Sequence, residues 1–180
     1  MSLVITVERD VDSLLDQRTD GEFSSFRDFY QDNHDRIRKV LFRFGVVGDL
    51  DDVVQNTFVK AWANLAKFKK QSNIKTWLVK IAINEAHNYF YKTAKYQQVG
   101  LNELPENFEH SKFEDREAVS IALQTLSLNH RMVLVLNVIE GHTLDEISVL
   151  MKVPVGTTKS RLNRAKEKMQ QALEKLGVCL

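Results

Sequence analysis

Residues Gly141–Leu176 read GHTLDEISVLMKVPVGTTKSRLNRAKEKMQQALEKL, a short helix, a tight turn and a longer basic helix. Thr143 and Glu146 form a T-x-x-E pair. In that pattern the hydroxyl takes an orphan backbone N–H and the carboxylate reaches back to the cap, so the pair predicts a capping box. Leu144, Ile147, Leu150 and Met151 then supply a buried side. Met151-Lys152-Val153 is the predicted turn, and Pro154 suits the first position of the next helix, where a missing N–H costs nothing.

On the second helix Thr158, Leu162, Ala165, Met169, Leu173 and Leu176 fall on one side at about 100° per residue. Thr157, Ser160, Asn163 and Arg164 point the other way, with Lys159 and Arg161 on the flanks. An apolar back, a front of small polar groups and cations, and a short crossing helix before it make a helix-turn-helix suited to a major groove. The competing reading is a plain helical hairpin whose charged face is only solvated.

The chain has 180 residues, 43% apolar and 27% charged, enough for one domain or two small helical ones. A net charge of +1 hides an uneven distribution. Lys60, Lys67, Lys69, Lys70, Lys75, Lys80, Lys92 and Lys95 are opposed within their stretch only by Glu85. Lys152, Lys159, Arg161, Arg164, Lys166 and Lys168 are opposed only by Glu167. Two cationic patches on a near-neutral chain fit two contacts on one polyanion. The single cysteine, Cys179, has no disulfide partner. No signal peptide or membrane-spanning run is visible, so no membrane insertion is expected and a cytoplasmic location is the default.

Upstream, Leu3, Ile5 and Val7 alternate too briefly for a strand, and Val11 to Gln17 fits a short helix ending before Gly21. Ser25 with Asp28 caps a helix carrying Phe26, Phe29, Tyr30, Ile37, Val40, Leu41 and Phe44. Asp49 caps the next, whose buried stripe is Leu50, Val54, Phe58, Ala61, Leu65 and Phe68. Its outer face, Asp52, Gln55, Asn56, Val59 and Ala63, fits either a protein-docking surface or a merely solvated one. After a lysine-rich break, Ser72 or Asn73 caps Ile74 to about Tyr96. Trp77, assigned to the core, lies with Leu78, Ile81, Ala82, Ala86, Tyr89 and Phe90 on the buried side. Lys80, Asn84, His87, Asn88 and Tyr91 lie outside, in the manner of a single-strand platform or of an ordinary helix surface. Residues 97–115 lose periodicity and are acidic, a linker. Two further helices follow, one through Val119, Ala122, Leu123 and Leu126, the other from Ser127 through Met132, Val133, Leu136 and Ile139. About four helices, a linker and four more predict an all-α fold. His34, His87, His110, His130 and His142 are scattered, no phosphate-cradling glycine loop appears, and no catalytic residue, metal site or cofactor is expected.

Two motifs carry a family resemblance. DLDDVVQNTFVKAWANLAKF followed by KTWLVKIAINEAHNYF resembles region 2, and EGHTLDEISVLMKVPVGTTKSRLNRAKEKMQQAL resembles region 4.2, of bacterial RNA polymerase sigma factors of the extracytoplasmic-function (ECF) group. The resemblance implies a region 2 bundle over 10–96, an acidic linker over 97–115 and a region 4 helix-turn-helix over 116–178. It implies docking of Asp52, Gln55, Asn56 and Val59 on the β′ clamp helices of core RNA polymerase. It further implies capture of the −10 element of promoter DNA, single-stranded, near Lys75, Lys80, Asn84 and Asn88. Region 4 would sit on the β flap and read the −35 duplex with Lys159, Ser160, Asn163 and Arg164 towards bases and Thr157 and Arg161 towards phosphates. An anti-sigma factor is a further implied partner, and no catalysis is implied. The chain departs from the family at Ile74, where phenylalanine is usual, at Thr158 in GTTKSR, and in FYKTAKYQQ, which is only mildly basic. Rival readings are a helix-turn-helix regulator that never joins polymerase, and a helical interaction module.

Overall fold

A computed structural model describes residues 2–70, 72–96 and 115–178, in which all regular structure is helical. The helices are α1 (Ser2–Thr19), α2 (Phe26–Arg43), α3 (Leu50–Asn64), α4 (Ile74–Tyr96), α5 (Asp115–Gln124), α6 (Leu128–Leu134), α7 (Leu144–Met151) and α8 (Val155–Lys175). The linker expected over 97–115 falls outside the described residues except for Asp115, and so does Cys179. The chain divides into two compact units, Met1–Phe42 with Val46–Tyr91, and Arg43–Gly45 with Lys92–Leu180.

In the first unit α1 is longer than the sequence pattern predicts, and the alternation at Leu3, Ile5 and Val7 lies inside it. Tertiary contacts hold its second half: Leu15 is buried, the Asp12 carboxylate accepts the Phe26 N–H at 2.7 Å, and Arg18 donates to the Phe68 carbonyl. The helix stops where Asp20 and Gly21 turn left-handed (φ 54° and 80°), with the Gly21 N–H returning to the Asp16 carbonyl. The Ser25 hydroxyl caps α2 by accepting the Asp28 N–H at 3.2 Å, and Asn73 caps α4 by accepting the Lys75 N–H at 2.7 Å. Asp49 occupies the N-cap position of α3, but its side chain makes no capping bond, contrary to expectation. Its neighbour Asp51 instead accepts from Arg38 at 3.0 Å.

The core of this unit is aromatic at its centre. Phe29 meets Phe23 edge-on at 5.2 Å and Phe58 at 6.3 Å, the quadrupole-favoured arrangement. The whole predicted α3 stripe, Leu50, Val54, Phe58, Ala61, Leu65 and Phe68, is buried. On α4, Ile74, Leu78, Val79, Ala82, Ile83 and Ala86 form the buried side. Trp77 is only half-buried, tilted against Phe68 at 5.2 Å, so its assignment to the core is corrected to the core's edge.

In the second unit α8 is the spine against which α5, α6 and α7 pack. Its C-terminal half closes with α5 through Ala118, Ala122, Ala172 and Leu173. The small alanines let the two backbones approach closely. Arg131 of α6 is buried and donates to the carbonyls of Gln124 and Leu126 at 2.8 and 2.9 Å, tying down the end of α5. Burial lowers its pKa from the ordinary guanidinium value, yet the group stays protonated at neutral pH. After α6 the chain widens into a π-turn, Val135–Ile139, where the Glu140 N–H reaches five residues back to Val135. The extra residue rotates the helix surface, so Ile139, expected on the apolar side, is 40% exposed and Val138 60% exposed.

Candidate nucleic-acid interface

The helix-turn-helix is built from local bonds. The Thr143 hydroxyl accepts the Glu146 N–H at 3.3 Å and the Glu146 carboxylate accepts the Thr143 N–H at 2.8 Å, completing the predicted capping box. Those bonds favour the ionised acid and hold its pKa below the ordinary 4.5. Met151 ends α7, and Lys152 takes the left-handed turn (φ 55°), with the Val153 N–H returning to the Ser148 carbonyl at 3.0 Å. Pro154 is the N-cap of α8, one position earlier than expected; its carbonyl accepts the Thr158 N–H at 3.0 Å. A proline fits there for the same reason, because neither position uses its N–H in the helix.

With 21 residues, α8 runs roughly 31 Å at 1.5 Å per residue. Thr158, Leu162, Ala165 and Leu173 are buried, and Thr158 satisfies its hydroxyl on the Pro154 carbonyl at 3.3 Å. That bond answers the polar atom that distinguishes it from valine. Lys159, Ser160, Asn163 and Arg164 are exposed, while Thr157 and Arg161 are half-exposed. These six therefore share the side of α8 that faces away from its core. On α6 the pKa of His130 is lowered from 6.5, by desolvation first and then by the α8 charges Lys168, Arg161 and Arg164.

The first unit presents its candidates differently. Lys80, Asn84, His87, Asn88 and Tyr91 recur at helical spacing along α4, the last four exposed and Lys80 half-exposed. Lys75 is nine residues before Asn84, about 180° around the helix, and does not join that stripe. It pairs instead with Glu22 at 2.6 Å and lies 5.7 Å from the centre of the Phe23 ring. Lys70 is bonded to Asp20, and Lys60 reaches Glu85 at 2.5 Å. Three cations of this stretch are therefore neutralised by acids, Lys60 by Glu85 of the same stretch and the other two by acids from the turn between α1 and α2. Lys67, Lys69, Lys80 and Lys92 show no ion pair among the described residues.

On α3, Asp52, Gln55, Asn56 and Val59 are all exposed on one strip, and Val59 is 58% exposed. Gln55 and Val59 border an apolar hollow of about 240 Å³ completed by Phe26, Tyr30, Phe58 and Trp62. Phe26 and Tyr30, two of the apolar residues that mark α2 as amphipathic, thus line a surface hollow. Trp62 meets Phe26 edge-on at 4.7 Å, so the aromatic wall needs two helices and is invisible to the periodicity of either. Among the described residues no group of His, Cys, Asp and Glu could hold a metal ion, and no helix is long and apolar enough to cross a membrane.

A four-helix unit whose α4 bears an exposed stripe of amides, and a second unit with a capped helix-turn-helix and a cationic exposed side, form the all-helical architecture of a candidate nucleic-acid binder. Residues 29–96 match the model of Sigma-70 region 2, and residues 116–169 that of Sigma-70 region 4. The chain is 32% identical over 158 residues to the ECF RNA polymerase sigma-E factor of Escherichia coli (strain K12), covering 78% of this chain and 82% of that protein. It is 27% identical over 181 residues to the factor of the same description from Haemophilus influenzae, covering 91% and 95%. The sigma factor RpoE of Bartonella quintana, solved in complex with the anti-sigma factor NepR, has a similar structure. The TM-score is 0.69 at 26% identity, over 82% of this chain and 98% of that one. CnrH, solved with the cytosolic domain of CnrY, shares the fold at TM-score 0.64 and 24% identity, over 94% and 98%. The chain belongs to the sigma-70 family of RNA polymerase sigma factors, in its ECF group. Sigma factors of this kind act in transcription initiation.

Proposed function

We propose that this sigma factor recognises promoters at two places, reading the −35 element as duplex through α8 and capturing the −10 element single-stranded on α4. The observation that carries this reading is the α8 surface. Lys159, Ser160, Asn163 and Arg164 stand exposed opposite a buried Thr158, Leu162 and Ala165, so the helix can enter a groove without uncovering its core. Lys159, Ser160, Asn163 and Arg164 then face base edges, and Thr157 and Arg161 face phosphates. On α4 the exposed amides of Asn84 and Asn88, with Lys80 beside them, suit unstacked bases. Lys75 serves phosphate only after releasing Glu22. Trapping extruded bases makes promoter melting a binding effect, and the polymerase supplies the chemistry.

The strip Asp52, Gln55, Asn56 and Val59 docks on the β′ clamp helices of core polymerase, and the second unit on the β flap. Val59 and the adjoining aromatic hollow give the α3 contact an apolar centre with a polar rim, the anatomy of a protein interface. The domain division is 10–96, 97–115 and 116–178, with the acidic segment as connector. An anti-sigma factor is a second partner, supported by the complex in which the Bartonella quintana relative was solved. A cytoplasmic location follows from working on core polymerase. Run-off transcription with purified core polymerase, with and without this protein, tests the proposal. A promoter-specific transcript dependent on the protein is expected; no transcript and no complex with core would overturn it.

A further inference from the structure

Helix α4 carries one acid, Glu85, and places it where a base-reading surface would ordinarily exclude negative charge. Its side chain is only 10% exposed. One carboxylate oxygen, Oε1, accepts from Lys60 Nζ of α3 at 2.5 Å and from Asn88 Nδ2, three residues on along α4, at 3.2 Å. Asn88 is itself exposed, on the same stripe as Asn84.

The chemistry of that pair fixes more than a position. A carboxylate offers acceptors and no donor, so only the –NH₂ end of the Asn88 amide can face it. The reversed amide would set carbonyl oxygen against carboxylate oxygen. Oδ1 is therefore the end turned away from Glu85. An asparagine without such a neighbour swaps its two ends freely and serves donor or acceptor alike. Lys60 holds the carboxylate in place and balances its charge, which lets an acid stand beside a polyanion.

We propose that Glu85 is a positioning residue that sets a base preference at the α4 site. By pinning the Asn88 amide it presents Oδ1 as an acceptor to a base bearing an exocyclic amine. Thymine, which has no amine, offers only an N3–H flanked by two carbonyls that repel Oδ1. The inference rests on the reading of Asn88 as a single-strand contact, and its test separates the two.

Holoenzyme assembled from the full chain and core polymerase is challenged with fork-junction DNA whose single-stranded overhang is randomised, and the bound fraction is sequenced. The wild type enriches amine-bearing bases over thymine at one position, by roughly tenfold for one well-oriented amide. Glu85→Gln, whose own amide accommodates either end of Asn88, loses most of that ratio at that position and leaves the others unchanged. Lys60→Met, which releases the carboxylate that Lys60 holds, lowers the ratio at that same position and leaves the others unchanged. An unchanged profile in Glu85→Gln where Asn88→Ala alters it overturns the proposal and leaves Asn88 as a contact. An unchanged profile in Asn88→Ala overturns the contact as well. Uniform loss at every position in Glu85→Gln marks a purely structural acid and also overturns the proposal. In the free wild-type chain, the Asn88 side-chain amide should show one strongly downfield-shifted proton by NMR. Its absence would overturn the pinned geometry whether or not any variant folds.

Discussion

The two cationic regions of this molecule are alike in composition and opposite in construction. On α8 the cations Lys159 and Arg164 stand exposed, and Lys168, Arg161 and Arg164 add to the desolvation that lowers the pKa of His130 on the neighbouring helix. In the first unit, Lys60, Lys70 and Lys75 are each already held by an acid. One surface is an open electrostatic platform. The other is a partly neutralised one, whose recognition falls to amides and rings. The difference matches the two tasks proposed for them: phosphate-rich duplex rewards free charge, whereas unstacked bases reward hydrogen bonding and stacking.

Five measurements would break or sharpen that contrast. Leu162→Ala, which hollows the buried back of α8, should destabilise the second unit by about 2–4 kcal/mol in a denaturant melt. If the unit tolerates it, the exposed face does not depend on that core. Arg164→Ala should cost about 1–3 kcal/mol of duplex binding while leaving the core-polymerase complex intact. Lys75→Ala should cost less in single-strand binding, because that lysine must first leave Glu22; losses of equal size would erase the distinction between the platforms.

The double change Asp20→Asn with Glu22→Gln frees Lys70 and Lys75. Single-strand affinity at low salt should rise several-fold, since each exposed pair is worth about 0–1 kcal/mol. No change would mean that these acids do not compete with phosphate. The smallest effect concerns pH. Both His87 and His130 have pKa values lowered from 6.5 in the fold, so the unfolded chain binds protons first as pH falls. The stability they contribute is complete above 6.5 and declines as pH drops towards their lowered values. His87→Gln and His130→Gln should each flatten part of the decline. Added salt should weaken the His130 contribution, which includes Lys168, Arg161 and Arg164, and spare that of His87, which is desolvation alone. Equal salt sensitivity would remove the electrostatic signature of α8.

Much of the architecture was legible along the chain because its determinants act within one helical turn. The Thr143–Glu146 box, the Ser25 and Asn73 caps, the α3 stripe and the buried back of α8 all join residues two to four apart. The exposure of Lys159, Ser160, Asn163 and Arg164 followed from the same periodicity. Trp77, Ile139 and the length of α1 escape periodicity because each depends on something it does not contain. Trp77 stops at the core's edge against Phe68, Ile139 is turned out by a π-turn, and the second half of α1 is held by partners on other elements. Asp49 shows the converse: a good capping residue in the right position whose side chain makes no capping bond.

By itself, then, the sequence determined the all-helical class, most of the buried sides, the helix-turn-helix and its cationic front. Only the tertiary structure decided which cations remain available. Lys70 meets Asp20 across 50 positions and Lys60 meets Glu85 across 25, distances at which no local pattern operates. Charge counted along a chain ignores what folding brings beside it, and an ion pair depends on separation in space alone.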